Sequence, residues 1–142
     1  MKLLGLDTAT STAGIAILDG DRTLAEARHD TAGRGADLLV AIDRLCRDAG
    51  IAPAELDAIA IGAGPGSFTG LRIGMATAKG IAFAARSPLW TVSSLAAMAD
   101  HELRDGGSYT APGYDGVVCA VLDARRGEFY AGAYRRDAGR TV

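Results

Sequence analysis

The 142-residue sequence is short of the residues from which catalytic centres are most often built, with two histidines and two cysteines. Cys46 and Cys119 lie far apart and form no CxxC pair, which excludes a disulfide or zinc framework and suits thiols kept reduced. No apolar run approaches the ~18 residues that a membrane span needs. The opening "MKLLGLD" is broken by Asp7 too early to be a signal peptide, so a cytoplasmic protein without a membrane partner is expected. A dominant sign of charge is missing too. The formal net charge is −2, which argues against a broad nucleic-acid or membrane surface. Positive charge gathers only late, at Arg125, Arg126, Arg135, Arg136 and Arg140, as a solvated face or as a contact with RNA or a partner. What is present is ordinary globular composition, 49% hydrophobic, in a chain long enough for one domain with a real core.

The chain opens with three strands. "KLLGLDTA" ends in Asp7, "AGIAILDG" closes on the hairpin signal Asp19-Gly20, and "RTLAEARHD" follows. After a polar link, Thr31 to Gly35, the period changes to that of a helix, with Leu38, Ile42 and Leu45 on one stripe widened by Leu39 and Cys46. Gly50 and then Pro53 stop it. "LDAIAIGAG" reads as a buried parallel strand, Ser67 as the N-cap of a helix reaching about Ala85, "PLWTVS" as a strand and "SLAAMADHEL" as a short helix. Beyond the loop-like "GGSYTAPGYDG", the segment "VVCAVLDARRGEFYAGAYRR" reads as a hairpin. It repeats the layout of "LLGLDTATSTAGIAI": an apolar strand ending in Asp, a turn, and a strand containing Ala-Gly-x-Ala, with Asp7 and Asp123 in equivalent places. The expectation is a complete βββαβα unit over residues 1–105, a linker over 106–116, and the start of a second copy over 117–142.

The most unusual stretch is "GAGPGSFTGLRIG", Gly62 to Gly74. It has no lysine, and Gly64 and Gly70 are six apart, so it is not a Walker A loop. A strand–glycine loop–helix can still hold an anion on backbone N–H groups. Gly66, Gly70, Gly74, Ala78 and Ala82 recur every fourth residue and make a stripe without bulk. An interior glycine costs about 1 kcal/mol of helix propensity, which close packing against a sheet or another helix would offset. Leu71, Arg72, Met75 and Lys79 lie on other faces. Each helix buries one face on its own sheet, so apolar side chains left over, from Leu38, Leu39, Ile42, Leu45, Leu71 and Met75 together with Arg72 and Lys79, are expected to supply an intermolecular face.

Other chemistries fit poorly. A two-metal nuclease shares the βββαβα order and needs converging carboxylates, but where the fourth strand should bring one beside Asp7 it brings Gly62-Ala63-Gly64. "HELRD" at His101–Asp105 puts an aspartate where a second zinc-binding histidine would stand. Ser67 is one residue off a nucleophile elbow. An actin-like ATPase would place an Asp-bearing hairpin loop from each lobe against the phosphates. Asp7 and Asp123 suit that plan, but "DTATSTAG" lacks the glycine that lets backbone close on phosphate.

"LLGLDTATSTAGIAIL", "GAGPGSFTGLRIGMATAKGIA" and "VLDARRGEFYAGAY" together closely resemble the bacterial TsaB family, also called YeaZ. The most specific parts are Gly64, Pro65, Gly66, Ser67, Phe68, Thr69 and Gly70 through Gly74, and then Asp123 through Tyr130 with Arg125. The resemblance implies an α/β, actin/Hsp70-like fold with a ribonuclease H-like lobe. It implies a non-catalytic subunit in the making of N6-threonylcarbamoyladenosine at position 37 of tRNA, with no catalytic or metal residues of its own. It implies pairing with a catalytic paralogue, TsaD, and with a small ATPase, TsaE, homodimers in isolation, and tRNA met only through the complex. No cofactor is expected on this chain alone, and any ATP or ADP is expected at an interface within the complex. The catalytic relative looks like "VNHMEGH" where this chain has "VSSLAAM", so Ser94 and Met98 stand in place of two metal-binding histidines. The chain departs from the family at the start of its first helix, where Arg34-Gly35-Ala36-Asp37 and Val40 replace the usual residues, and in ending at Val142. An older peptidase label for relatives, a metal- or ATP-dependent hydrolase, and a scaffold with a changed partner are the competing readings.

Overall fold

The computed structural model describes residues 1–30, 35–105, 109–110, 114–138 and 140–142. The link from Thr31 to Arg34 and residues 106–108 and 111–113 of the expected linker lie outside the described residues. Strands β1 (Lys2–Asp7), β2 (Thr12–Asp19) and β3 (Arg22–Asp30) form an antiparallel meander. β4 (Ala58–Gly62) and β5 (Leu89–Val92) join parallel to β1, giving a five-stranded sheet of order β3-β2-β1-β4-β5. The expected meander, and the turn at Asp19-Gly20, are present.

Period-2 alternation decides what the sheet buries. Leu4 and Leu6 of β1 stand beside Ile17 and Ile15 of β2 and beside Ile59 and Ile61 of β4, all buried on one face. Helices α1 (Gly35–Asp48) and α2 (Phe68–Ala85) cover that face and complete one core. The stripe Leu38, Ile42 and Leu45 points into it, joined by Cys46. These three side chains are almost fully buried, so the expectation that they offer themselves to a partner is corrected: the stripe is what α1 lays on its own sheet. α1 stops where foreseen, at Gly50, whose φ of +67° lets the N–H groups of Gly50 and Ile51 close on the carbonyls of Arg47 and Cys46. The opposite face of the sheet is small and open, with Gly5, Ala16 and Ala60 across its middle and Trp90 and Val92 exposed at its β5 edge.

A second, smaller cluster lies between α3 (Ser94–Asp105) and a two-stranded ribbon of β6 (Val118–Arg125) and β7 (Glu128–Tyr134). Leu95, Ala99 and Leu103 meet Ala120, with Val118, Leu122 and Tyr134 packed around them. The helix that follows the first sheet thus shares its core with the ribbon. Short strands β8 (Arg136–Asp137) and β9 (Arg140–Thr141) come next, and Thr141 Oγ1 donates to Asp100 Oδ1 of α3 at 2.6 Å.

Candidate functional site

Ser67 caps α2, its Oγ accepting from the N–H of Gly70 at 3.2 Å. The glycine stripe that follows faces the β1–β2 loop. The Ser67 N–H donates to the Ala9 carbonyl at 2.7 Å, and Thr8 Oγ1 donates to the Gly70 carbonyl at 2.8 Å. A Cβ at Gly66 would overlap Ala9, one at Gly70 the Thr8 carbonyl, and one at Gly74 the Thr8 side chain. Ala78 and Ala82 continue the stripe into the main core. The small residues therefore let α2 sit directly on a loop backbone. Thr8, buried and pinned there, was not singled out from the sequence, because one threonine after a strand carries no pattern of its own.

Asp7 closes the same junction. Its Oδ1 accepts from the Ala9 N–H at 2.7 Å and its Oδ2 from Ser94 Oγ at 2.6 Å. Ser94 Oγ in turn accepts from the Gly64 N–H at 3.2 Å, and the Ser94 N–H donates to the Gly64 carbonyl at 2.9 Å. Gly64 has φ +89°, a conformation that L side chains rarely adopt. A Cβ on Gly62 would occupy the place of the Asp7 carboxylate. The missing acid at the end of β4 is thus the condition for the knot: glycine leaves room for Asp7 to reach Ser94. Each oxygen of Asp7 has an internal donor, and Ser94 is buried between its two partners. The chemistry of this group is to join β1, the exit of β4 and the first residue of α3.

Asp123 repeats half of that device, its Oδ1 accepting from the Arg125 N–H at 2.7 Å. The tip beyond it turns through three residues with positive φ, Arg125 (69°), Arg126 (57°) and Gly127 (79°). Asp123, Arg125 and Tyr130 line one side of a cleft of about 430 Å³, and Gly66, Ser67, Phe68 and Thr69 line the other. The structure therefore brings Asp123 and Arg125 to the glycine loop, whereas Asp7 borders a depression on the open face of the sheet.

Of the other residues expected at an interface, Leu71 and Met75 are half-buried, with Met75 against the main core, while Leu39, Arg72 and Lys79 are exposed. The Arg72 guanidinium lies 5.1 Å from the centroid of the Phe68 ring. Sequence reasoning overlooked Val40 (57% exposed) and Phe83 (88% exposed), which stand out with Leu39 (49%) on the outer surface of α1 and α2. Gly80 is exposed beside Phe83, and a Cβ there would meet nothing. The signal available was a glycine that the buried stripe does not use. Burial pushes the Cys46 thiol up. Among the described residues, no three His, Cys, Asp or Glu side chains gather as a metal site, and no helix is long and apolar enough to cross a membrane.

Comparison with known proteins follows the same lines. The family model for tRNA N6-adenosine threonylcarbamoyltransferase (TsaD) matches residues 34–141. The chain is 35% identical over 140 residues to the tRNA threonylcarbamoyladenosine biosynthesis protein TsaB of Bacillus subtilis, covering 98% of this chain and 57% of that protein. With Escherichia coli TsaB it shares 34% over 137 residues, 96% of this chain and 56% of the relative. YeaZ from Pseudomonas aeruginosa superposes with a TM-score of 0.85 at 35% identity, covering 99% of this chain and 63% of that one. The ROK hexokinase of Thermus thermophilus, at TM-score 0.59 and 20% identity, shares the fold alone. The chain spans a little over half the length of the curated relatives it matches.

Proposed function

We propose, from the premise that the chain belongs to the TsaB (YeaZ) family, that it acts as a scaffold subunit in the biosynthesis of threonylcarbamoyladenosine in tRNA, pairing with a TsaD-like catalytic paralogue. The observation that carries the reading is the outer face of α1 and α2. Leu39 and Val40 of α1 and Phe83 of α2 expose large apolar side chains, and Gly80, one turn before Phe83, has a bare backbone that permits another helix to come close. Lys79, close to Phe83, and Arg72, nearer the start of α2, are exposed on the same helix. A mid-helix glycine with nothing against it lowers helix propensity by about 1 kcal/mol without return inside the subunit. Contact with another subunit gives that glycine a use.

A non-catalytic role is supported by Asp7. An acid with one oxygen held by Ser94 and the other by the Ala9 N–H ties scaffold elements together. In isolation the same face pairs with a second copy by a two-fold axis, since one self-complementary patch suffices for a closed dimer. Within the complex it meets the TsaD-like subunit, a TsaE-like ATPase joins them, and any ATP or ADP lies at an interface. Sedimentation of the chain alone and mixed with the TsaD-like protein of the same organism tests this. A heavier mixed species is expected, lost in Phe83→Asp and Leu39→Asp at unchanged melting midpoint because both side chains are outside the core. Two independent species for the unaltered chain would overturn the pairing, and unaltered pairing in both variants would overturn the surface.

A further inference from the structure

We propose that the cleft between the start of α2 and the tip of the β6–β7 hairpin holds one unpaired nucleotide of an RNA strand; this rests on the reading of the chain as a subunit of a tRNA-modifying assembly. The cleft, at about 430 Å³, lies within the ~300–1,000 Å³ typical of small-ligand sites. Its walls carry the two groups that bind single-stranded nucleic acid without reading sequence: aromatic faces and guanidinium ions. Phe68 is 72% exposed and Tyr130 39% exposed, and neither belongs to a hydrophobic cluster. Arg72 lies over Phe68, and Arg125 lines the opposite wall. Among the described residues neither Arg125 nor Arg126 has an ion-pair partner, so both are available to phosphate.

The carboxylate on the Arg125 side of the cleft favours ribose. One oxygen of Asp123 is engaged by the Arg125 N–H, and the other has no partner among the described residues. A carboxylate beside the cleft would repel a phosphate placed against it but accepts a hydrogen bond from a 2′-hydroxyl, the group that distinguishes RNA from DNA. A base stacked on Phe68 or Tyr130, its ribose at Asp123 and its phosphate at Arg125 uses each wall for the charge it carries. The net charge of −2 leaves no broad basic surface for a duplex, so an unstacked nucleotide in a local cleft is the form of RNA that suits this chain.

The test is fluorescence anisotropy with a short fluorescein-labelled single-stranded oligoribonucleotide, its deoxy counterpart and an RNA duplex. Each is titrated with the chain alone and with its mixture with the TsaD-like protein. Binding is expected to favour the single-stranded RNA in at least one of the two preparations. Tyr130→Ala and Arg125→Ala should weaken it about tenfold while leaving sedimentation and melting midpoint unchanged, and Arg140→Ala, outside the cleft, should stay within about twofold. Equal affinity in Tyr130→Ala, equal binding of duplex and single strand, no binding in either preparation, or displacement by AMP at concentrations comparable to the RNA would each overturn the assignment. Normal pairing with no effect of the cleft variants would sink this inference and leave the scaffold reading standing. Loss of pairing in the unaltered chain would sink the scaffold reading, while the titration of the chain alone still decides the cleft.

Discussion

At the end of β1 the carboxylate of Asp7 accepts a hydrogen bond from the backbone N–H two residues on, and near the end of β6 that of Asp123 does the same, both at 2.7 Å. The two hairpins have the same strand–Asp–turn–strand layout, and local geometry treats the two acids alike. Their surroundings differ. Asp7 has a second donor in Ser94, a glycine beneath it at position 62, and α2 resting on the following residues, Thr8 and Ala9. Asp123 has an exposed tip with positive φ and a cleft in front of it. A short motif therefore fixes the turn, and what long-range packing brings to the second carboxylate oxygen decides whether the turn becomes a structural joint or an open edge.

The sharpest way to break this contrast is to add a methyl group under each turn. Gly62→Ala puts a Cβ where the Asp7 carboxylate lies and close to Ser94 Oγ, and neither partner can retreat without breaking the knot. We expect a loss of about 3 kcal/mol or more. Gly127→Ala at the second tip meets no atom and pays only for its φ of +79°, about 1 kcal/mol. Gly80→Ala, on the outer face of α2, should be neutral or stabilise by about 0.5–1 kcal/mol in the unpaired subunit. Denaturant melts of the three variants give the order directly, and a Gly62→Ala protein as stable as Gly127→Ala would remove the basis for calling the first turn a joint.

Neutralising the acids comes next. Asp7→Asn keeps the shape but puts an amide where two donors already converge, so at least one of the bonds from Ala9 or Ser94 is lost or weakened. A cost of about 2 kcal/mol is expected, against about 0.5 kcal/mol for the exposed Asp123→Asn. Ser94→Ala falls between them, at about 1–2 kcal/mol, because it leaves Asp7 Oδ2 and the Gly64 N–H without their shared partner. Equal costs at the two aspartates, measured by equilibrium unfolding, would mean that Ser94 adds nothing that the turn does not already supply.

These long-range partners explain what could be read in advance. The order of elements along the chain, the Ser67 cap, the stop at Gly50 and the turn that Asp7 and Asp123 share all rest on spacings within a few residues, and all are found. The stripe Leu38, Ile42 and Leu45 was legible as one face of a helix, but periodicity gives the face and not its neighbour, and the neighbour is this chain's own sheet. The glycine stripe was legible as a close approach. That it approaches Thr8, some sixty residues earlier, follows only from the parallel pairing of β4 with β1. Phe83 and Tyr130 follow no period, and their exposure becomes visible only once the fold shows which surfaces are covered.

The smallest expected effect lies at the other end of β1, where the first hairpin is tied to the loop before β4. Lys2 Nζ donates to Glu55 Oε1 at 2.8 Å, and Glu55 Oε2 accepts from the Ala52 N–H at 2.8 Å. The bond from Lys2, then that from Ala52, hold the Glu55 carboxyl below its ordinary value, and Glu55 holds the Lys2 ammonium above its own. A depressed acid stabilises the fold above its unfolded value of about 4.3 and loses that contribution as pH falls through the lower folded value. A raised base stabilises below its unfolded value of about 10.4 and loses that contribution as pH rises through the higher folded one. Glu55→Gln should therefore melt slightly below the unaltered chain between those limits and converge with it at both extremes. The pair is solvent-exposed and screened, so the gap should shrink further in high salt. A gap at neutral pH as large as that of Asp7→Asn would show that the open end of the strand holds the sheet as firmly as the knot at Asp7 does, and would end the distinction drawn between joint and edge.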